Sequence, residues 1–355
     1  MDLPYWIDGD CFIFDPNFDE PINNYVEIIK QYKELKFADS DKNNNYIYSK
    51  FNQPLLDSLN NLTNLTHLYL GYSYGYLLGS SLNNLTNLTH LSFGWLFSRP
   101  LTNSLDKLIN LTHLSFGYYF NQPLVNSLDK LKNLTHLTFG SEFNQPIVKS
   151  FKCLTNLTYL FFGSKFNQPL GNSLDKLKNL TELFLSWNFN QPLGNSLNKL
   201  KNLTKLLFGL NFSQPLGKSL YQLKNLTHIH FGDSFNKPLG DSLYYLTKLE
   251  YLDLGCDFNQ ELIFPSSIKI LGLGCNNQNL LDNLPNSIEE LNLYDTFDLP
   301  LDNLPSSIKK ISFYKNSAYK RSLNNLPRLL EQLVLPTNYK FEIKNIPSKC
   351  EITYL

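Results

Sequence analysis

Residues 120–142 read FNQPLVNSLDKLKNLTHLTFGSE, and nearly the same 23 residues recur on both sides of them. Phe51, Tyr74, Phe97, Phe120, Phe143, Phe166, Phe189, Phe212, Phe235 and Phe258 stand 23 residues apart without exception. Leu68, Leu91, Leu114, Leu137, Leu160, Leu183, Leu206, Ile229 and Leu252 form a second ladder with the same step. The ladder continues at 19 to 22 residues through Leu271, Leu291, Ile311, Leu333 and Ile352. Self-similarity at such a period marks a solenoid, in which no repeat buries its apolar face until its neighbours stack on it.

Each repeat parses by its periodicity. Leu134–Gly140 alternates apolar and polar residues, the period of a short strand, with Leu137 and Phe139 facing inward and His136 and Thr138 outward. A glycine then permits the turn out of the strand. The proline of F-N-Q-P-L excludes a central strand, so that stretch is an extended arc. The N-S-L-D-K-L-K-N that follows spaces leucine at three residues and predicts a turn or two of helix on the outside. The expected fold is α/β: a curved parallel sheet on the concave face, short helical or irregular segments on the convex face, and about 14 coils. Three stretches follow: a cap with a short helix at 1–50, regular repeats at 51–258, and shorter repeats of the same solenoid at 259–355. Within the first, Cys11–Phe14 reads as a strand, Phe18-Asp19-Glu20-Pro21-Ile22 echoes F-N-Q-P-L, and 24–35 reads as helix.

The L-x-x-L-x-L core (Leu134, Leu137, Phe139) and the N-L-T-N-L-T turns at 61–66 and 84–89 resemble leucine-rich repeats. F-N-Q-P-L, together with L-P-N-S-I-E-E-L-N-L at 284–293 and L-P-S-S-I-K-K-I-S-F at 304–313, is similar to the FNIP repeat, over about residues 51–355. That family is known mainly from amoebae and the giant viruses that infect them. The resemblance implies an intracellular, non-catalytic scaffold for protein–protein interaction, cytoplasmic in a cell or in the host of a virus. Some members carry an F-box that recruits a ubiquitin ligase; residues 1–50 have no convincing one.

Composition removes whole classes of function. Lys+Arg and Asp+Glu each number 31, and zero net charge does not suit a nucleic-acid binder that works by phosphate attraction. No apolar run is long enough to span a membrane. The acidic start MDLPYWIDGD lacks the pattern of a signal peptide, so secretion is not expected, nor glycosylation of the N-L-T sequons. The five scattered cysteines read as reduced thiols. Residues 1–50 hold 10 acids and 5 bases, and 305–355 hold 3 acids and 9 bases, a contrast that suits end-to-end self-association.

Function is therefore sought in the outward columns. Tyr159, Glu182 and Lys205 share one column, and Phe161, Phe184 and Leu207 the column two residues on, where apolar side chains should meet water. Tyr72, Trp95 and Tyr118 repeat just past the strands, with Trp187 at the same position. These ten residues are the expected partner-binding set, with clustered aromatics as anchors. His67, His90, His113 and His136 continue the first column. Close imidazoles disfavour each other's charged form, so this ladder is expected to be pH-sensitive. Two of them could chelate a transition metal, but zinc asks for three or four convergent ligands, so neither metal nor cofactor is expected. Gly71-Tyr72-Ser73-Tyr74-Gly75 matches G-x-S-x-G, yet Tyr74 and Gly71 occupy repeat positions, so the match is a product of the repeat. No acid, base and nucleophile converge, and catalysis is not expected.

Overall fold

A computed structural model describes residues 3–355, in two compact units, 1–180 and 181–355; residues 1–2 of the expected cap lie outside the described part. In the first unit, β1 (Tyr5–Asp8) pairs antiparallel with β2 (Cys11–Phe14). From β2 a parallel ladder runs through β3 (Glu34–Phe37), β4 (His67–Tyr69), β5 (His90–Ser92), β6 (His113–Ser115), β7 (His136–Thr138) and β8 (Tyr159–Phe161). In the second unit the ladder comprises β9 (Glu182–Phe184), β10 (Lys205–Leu207), β11 (His228–Phe231), β12 (Tyr251–Leu254), β13 (Ile270–Leu273), β14 (Glu290–Leu293), β15 (Lys310–Phe313), β16 (Gln332–Leu335) and β17 (Glu351–Tyr354). These are parallel too, each paired with the next. The fold is a parallel-strand solenoid.

The two ladders contain more coils than the repeats alone marked. The additional ones carry Phe12 and Leu35, which pair in register and are fully buried. Leu35 was expected in a helix. The helix is only α1 (Val26–Ile29), preceded by a 3₁₀ turn, and the chain then enters β3 because Leu35 and Phe37 alternate into the core. Phe18 stacks on Phe51 with ring centroids 5.9 Å apart, so the echo of F-N-Q-P-L is a working coil element.

Inside each coil the strand leucine and the next apolar residue are buried, and phenylalanines stack from coil to coil, with Phe97, Phe120 and Phe143 at 6.1 Å intervals. Tyr74 sits in this stack between Phe51 and Phe97, at 6.0 and 6.2 Å. The strand-ending glycines have a stronger reason than turning the chain. None has positive φ, but a Cβ at Gly94, Gly117 or Gly140 would lie 1.8 Å from the carbonyl oxygen of the glycine one coil back. The coils touch backbone to backbone there, and these three positions have no room for a Cβ.

The outer segments of the regular coils are not α-helix. They are successive turns, for example Ser127 N–H to Leu124 C=O at 2.8 Å and Leu131 N–H to Leu128 C=O at 3.1 Å. A left-handed residue at the head of the segment stops a helix from starting. That position is glycine in four later coils, Gly171, Gly194, Gly217 and Gly240, with φ of 51° or 52°. Earlier coils place Leu56, Thr102 and Val125 there, at 42°, 46° and 45°. Left-handed backbone costs an L-residue roughly 1–2 kcal/mol, and Val125 is 67% exposed, so its side chain returns little. Val125→Gly should raise unfolding free energy by about 1 kcal/mol, net of glycine's larger unfolded-state entropy. Denaturant titration measures it, and a loss of similar size would contradict the strain.

Candidate functional site

A three-residue strand with its middle residue inward leaves two side chains facing out, and in-register pairing turns those into columns. In the first unit, His67, His90, His113 and His136 pair strand to strand. Their rings stack nearly parallel at centroid separations of 4.1, 4.1 and 4.2 Å. Tyr159 extends the stack at 5.5 Å from His136, and Glu34 stands at the other end, 3.7 Å from His67 Nδ1. Each Nδ1 is 2.9 Å from the hydroxyl of the preceding threonine: Thr66, Thr89, Thr112 or Thr135. The last three hydroxyls donate to the threonine carbonyl one coil back at 3.0 Å, and Thr66 to Lys33 C=O at 3.2 Å.

Burial, and then the neighbouring imidazoles, hold His113 below the ordinary histidine range and bring His90 down to about 4. The native state therefore binds fewer protons than the unfolded chain between pH 6.5 and about 4, and stability falls as pH falls through that window. In an NMR titration, His90 should have a midpoint near 4; a value at or above ~6.5 would contradict the ladder's electrostatics.

Asparagines of the N-L-T turns bond from coil to coil. Asn87 and Asn110 donate through Nδ2 to the carbonyls of Thr63 and Thr86 at 2.9 Å, and Asn133 to Ile109 at 3.0 Å. In these three sequons asparagine and threonine thus both bond to the coil before.

Tyr72, Trp95 and Tyr118 also stack, at 5.7 and 4.4 Å, with Tyr48 adding 4.2 Å to the Tyr72 end. Much of each ring face is covered by its neighbour, leaving edges outward; Trp95 is 41% exposed. Phe161 is half-buried on β8, where it pairs with Thr138. In the second unit, Phe184 pairs with Leu207 and both are half-buried, while Trp187 is 61% exposed. Beside them Lys205 Nζ donates to Glu182 Oε1 at 3.0 Å. Further along this face Lys310 pairs with Glu290 at 3.1 Å.

One cluster was missed from sequence. Asp253 on β12 is fully buried, and its Oδ2 accepts from Tyr251 OH at 3.3 Å and from Tyr294 OH, and faces His230 Nδ1 at 2.7 Å. Burial would lower His230, but the hydrogen bond and charge of Asp253 outweigh it and hold the imidazole above its ordinary value. Burial and the same carboxylate push Tyr251 up to about 12. Gly272 makes room, since a Cβ there would lie 2.8 Å from the carboxylate carbon. The signal was in the column itself, where Asp253 lies between His230 and Gly272 in register. Among the described residues, no three His, Cys, Asp or Glu side chains are placed to hold one metal ion. The five cysteines are free, and no helix is long and apolar enough to cross a membrane.

The stacked parallel strands, inward leucines and asparagine turns define a leucine-rich-repeat solenoid. Within the chain, residues 277–316 match the family described as FNIP Repeat. The chain as a whole is similar to CroV588, a circular leucine-rich-repeat protein of a giant virus, at 27% identity and a TM-score of 0.66 over 99% of this chain. It spans 60% of that protein. Two further likenesses concern the fold alone. An internalin (inlF) from Listeria monocytogenes is 18% identical, with a TM-score of 0.52, over 83% of this chain and 82% of its own. TLR13, solved in a complex with ssRNA13, is 17% identical, with a TM-score of 0.59, over 92% of this chain and 49% of its own. No curated protein matches the sequence. None of these descriptions is of an enzyme.

Proposed function

We propose that the chain is a non-catalytic scaffold that binds a protein partner on the solvent-facing side of its sheet. The observation that carries this reading is the in-register pair Phe184 and Leu207, half-exposed on the sheet beside the Glu182–Lys205 ion pair and accompanied by Trp187. These apolar side chains stand outside the fully buried core, and apolar residues beside paired charge are how interfaces are built. Tyr159 and Phe161 of the first unit stand at the same two positions of their own repeat. Within the first unit, Trp95 and its stacked neighbours present N–H and O–H groups suited to polar contacts with a partner. Glu182 and Lys205 set orientation more than affinity, since an exposed pair is worth about 0–1 kcal/mol. At the start of the ladder, antiparallel β1 closes the edge that β2 would otherwise present.

The test is capture from a lysate of the native host with the intact chain and with a Phe161→Ser, Phe184→Ser, Leu207→Ser variant. The variant should keep its thermal midpoint within a few degrees. It should lose the partner by thirtyfold or more, as one or two anchors of about 2 kcal/mol imply. Equal capture by both proteins would refute the assignment.

A further inference from the structure

We infer that His230 is the charged end of the apolar column Phe184–Leu207, and that the partner meets it with a carboxylate beside an apolar side chain. This rests on the reading that Phe184 and Leu207 are anchors, and adds the chemistry that the partner must bring to them. Register supplies the juxtaposition. Phe184 on β9, Leu207 on β10, His230 on β11 and Asp253 on β12 are successive members of one column. The first two are half-buried and the His230 side chain is 32% exposed, whereas Asp253 is fully buried. The surface of the column thus passes from apolar to imidazole, with a carboxylate held behind the ring.

Asp253 decides which edge of the imidazole a partner meets. Its Oδ2 holds Nδ1 at 2.7 Å, so the proton on that nitrogen is committed inward and Nε2, across the ring, lies on the exposed side. Tyr251 OH and Tyr294 OH donate to the same oxygen and hold the carboxylate in place. In the charged ring Nε2 only donates, and a charged donor beside two apolar side chains pairs best with a carboxylate. Burial works against that charge, but the bond and charge of Asp253, with the charge of Asp233 just past β11, hold His230 above the ordinary histidine range. The groups around it do not titrate with it. Lys205 on β10 is paired with Glu182, and His228 on β11 is held low by burial and then by Lys205. Glu250 is held low by its bond to Lys269, while burial pushes Tyr251 up to about 12 and raises Tyr294 as well. Neighbouring strands lie about 4.8 Å apart, so the acid stands one or two residues from the side chain that lands on Leu207. A carboxylate that prefers the charged ring is released as pH rises through the His230 midpoint, and raises that midpoint when bound.

The probe is a library of short random peptides displayed on phage, selected on the intact chain at about pH 6. Clones that do not bind a Phe184→Ser/Leu207→Ser variant should carry Asp or Glu one or two residues from Leu, Ile, Phe or Trp. A peptide made from such a clone is then compared with its own amide form, Asp to Asn or Glu to Gln, on the intact chain. The acid form should bind about tenfold more tightly or better, and should lose that advantage as pH rises toward about 9. In an NMR titration it should raise the His230 midpoint, a shift that a merely structural histidine would not show. His230→Gln should bind both forms alike. Clones that need Phe184 and Leu207 but carry no acid, or acid and amide peptides of equal affinity, would overturn the inference and leave the apolar anchors standing. The absence of any clone that needs Phe184 and Leu207 would overturn it too, while capture from the host lysate judges the anchors separately.

Discussion

The contact on which the structure depends is the meeting of one coil's backbone with the next at the strand-ending glycines. At Gly117 the space for a Cβ is already taken by the carbonyl oxygen of Gly94, 1.8 Å away. Coils that close sit in register, and register decides everything else. It places Leu114 on Leu137 and stacks Phe116 on Phe139 at 5.4 Å. It also lets the threonine hydroxyl of one coil reach the carbonyl of the previous one at 3.0 Å. Each of these is a modest interaction; repeated over many coils they add, because every coil's apolar face is buried only by its neighbours.

The same register makes the outward face a set of columns whose chemistry changes between the units. In the first unit the inner column is four imidazoles with threonine partners, flanked by Ser92, Ser115 and Thr138, without a charge between Glu34 and Tyr159. In the second, the face carries ion pairs and the buried Asp253 cluster. A solenoid can vary this way because an outward side chain rarely touches the core, so each coil's choice is nearly independent. The exceptions show the cost: Asp253 requires glycine at 272 on the next strand and two tyrosines to cover it.

Much of this was legible in the sequence, because a fixed 23-residue step with alternating strands leaves one way to stack. The inward and outward assignment of Leu137 and His136 needed only the period of a strand. Where copies diverged, reading was harder. Leu35 lies 23 residues after Phe12 but 33 before Leu68, so the longer coil between them hid its membership and local helix propensity won. The outer segments misled for a different reason: leucine at three-residue spacing fits successive turns as well as a helix, and only the left-handed residue at 125 separates them. The histidine column was visible, but the threonine hydroxyls beside its Nδ1 atoms were not, since their placement depends on a bond that reaches across coils. Asp253 was hidden because it is covered by tyrosines 2 and 41 residues away in sequence, the second brought close only by the stacking of coils.

The central claim is that inward columns and coil-to-coil backbone contact carry the stability, leaving the outward columns free for recognition. Replacing each residue of the coil 120–142 in turn and measuring unfolding free energy tests it most directly. Leu137→Ala should cost about 2–5 kcal/mol, and Gly140→Ala should be comparably damaging because its Cβ would meet the Gly117 carbonyl. Thr138→Ala, two residues from Gly140 on the solvent side, should stay within about 0.5 kcal/mol of the parent. Losses spread evenly over inward and outward positions would contradict the account.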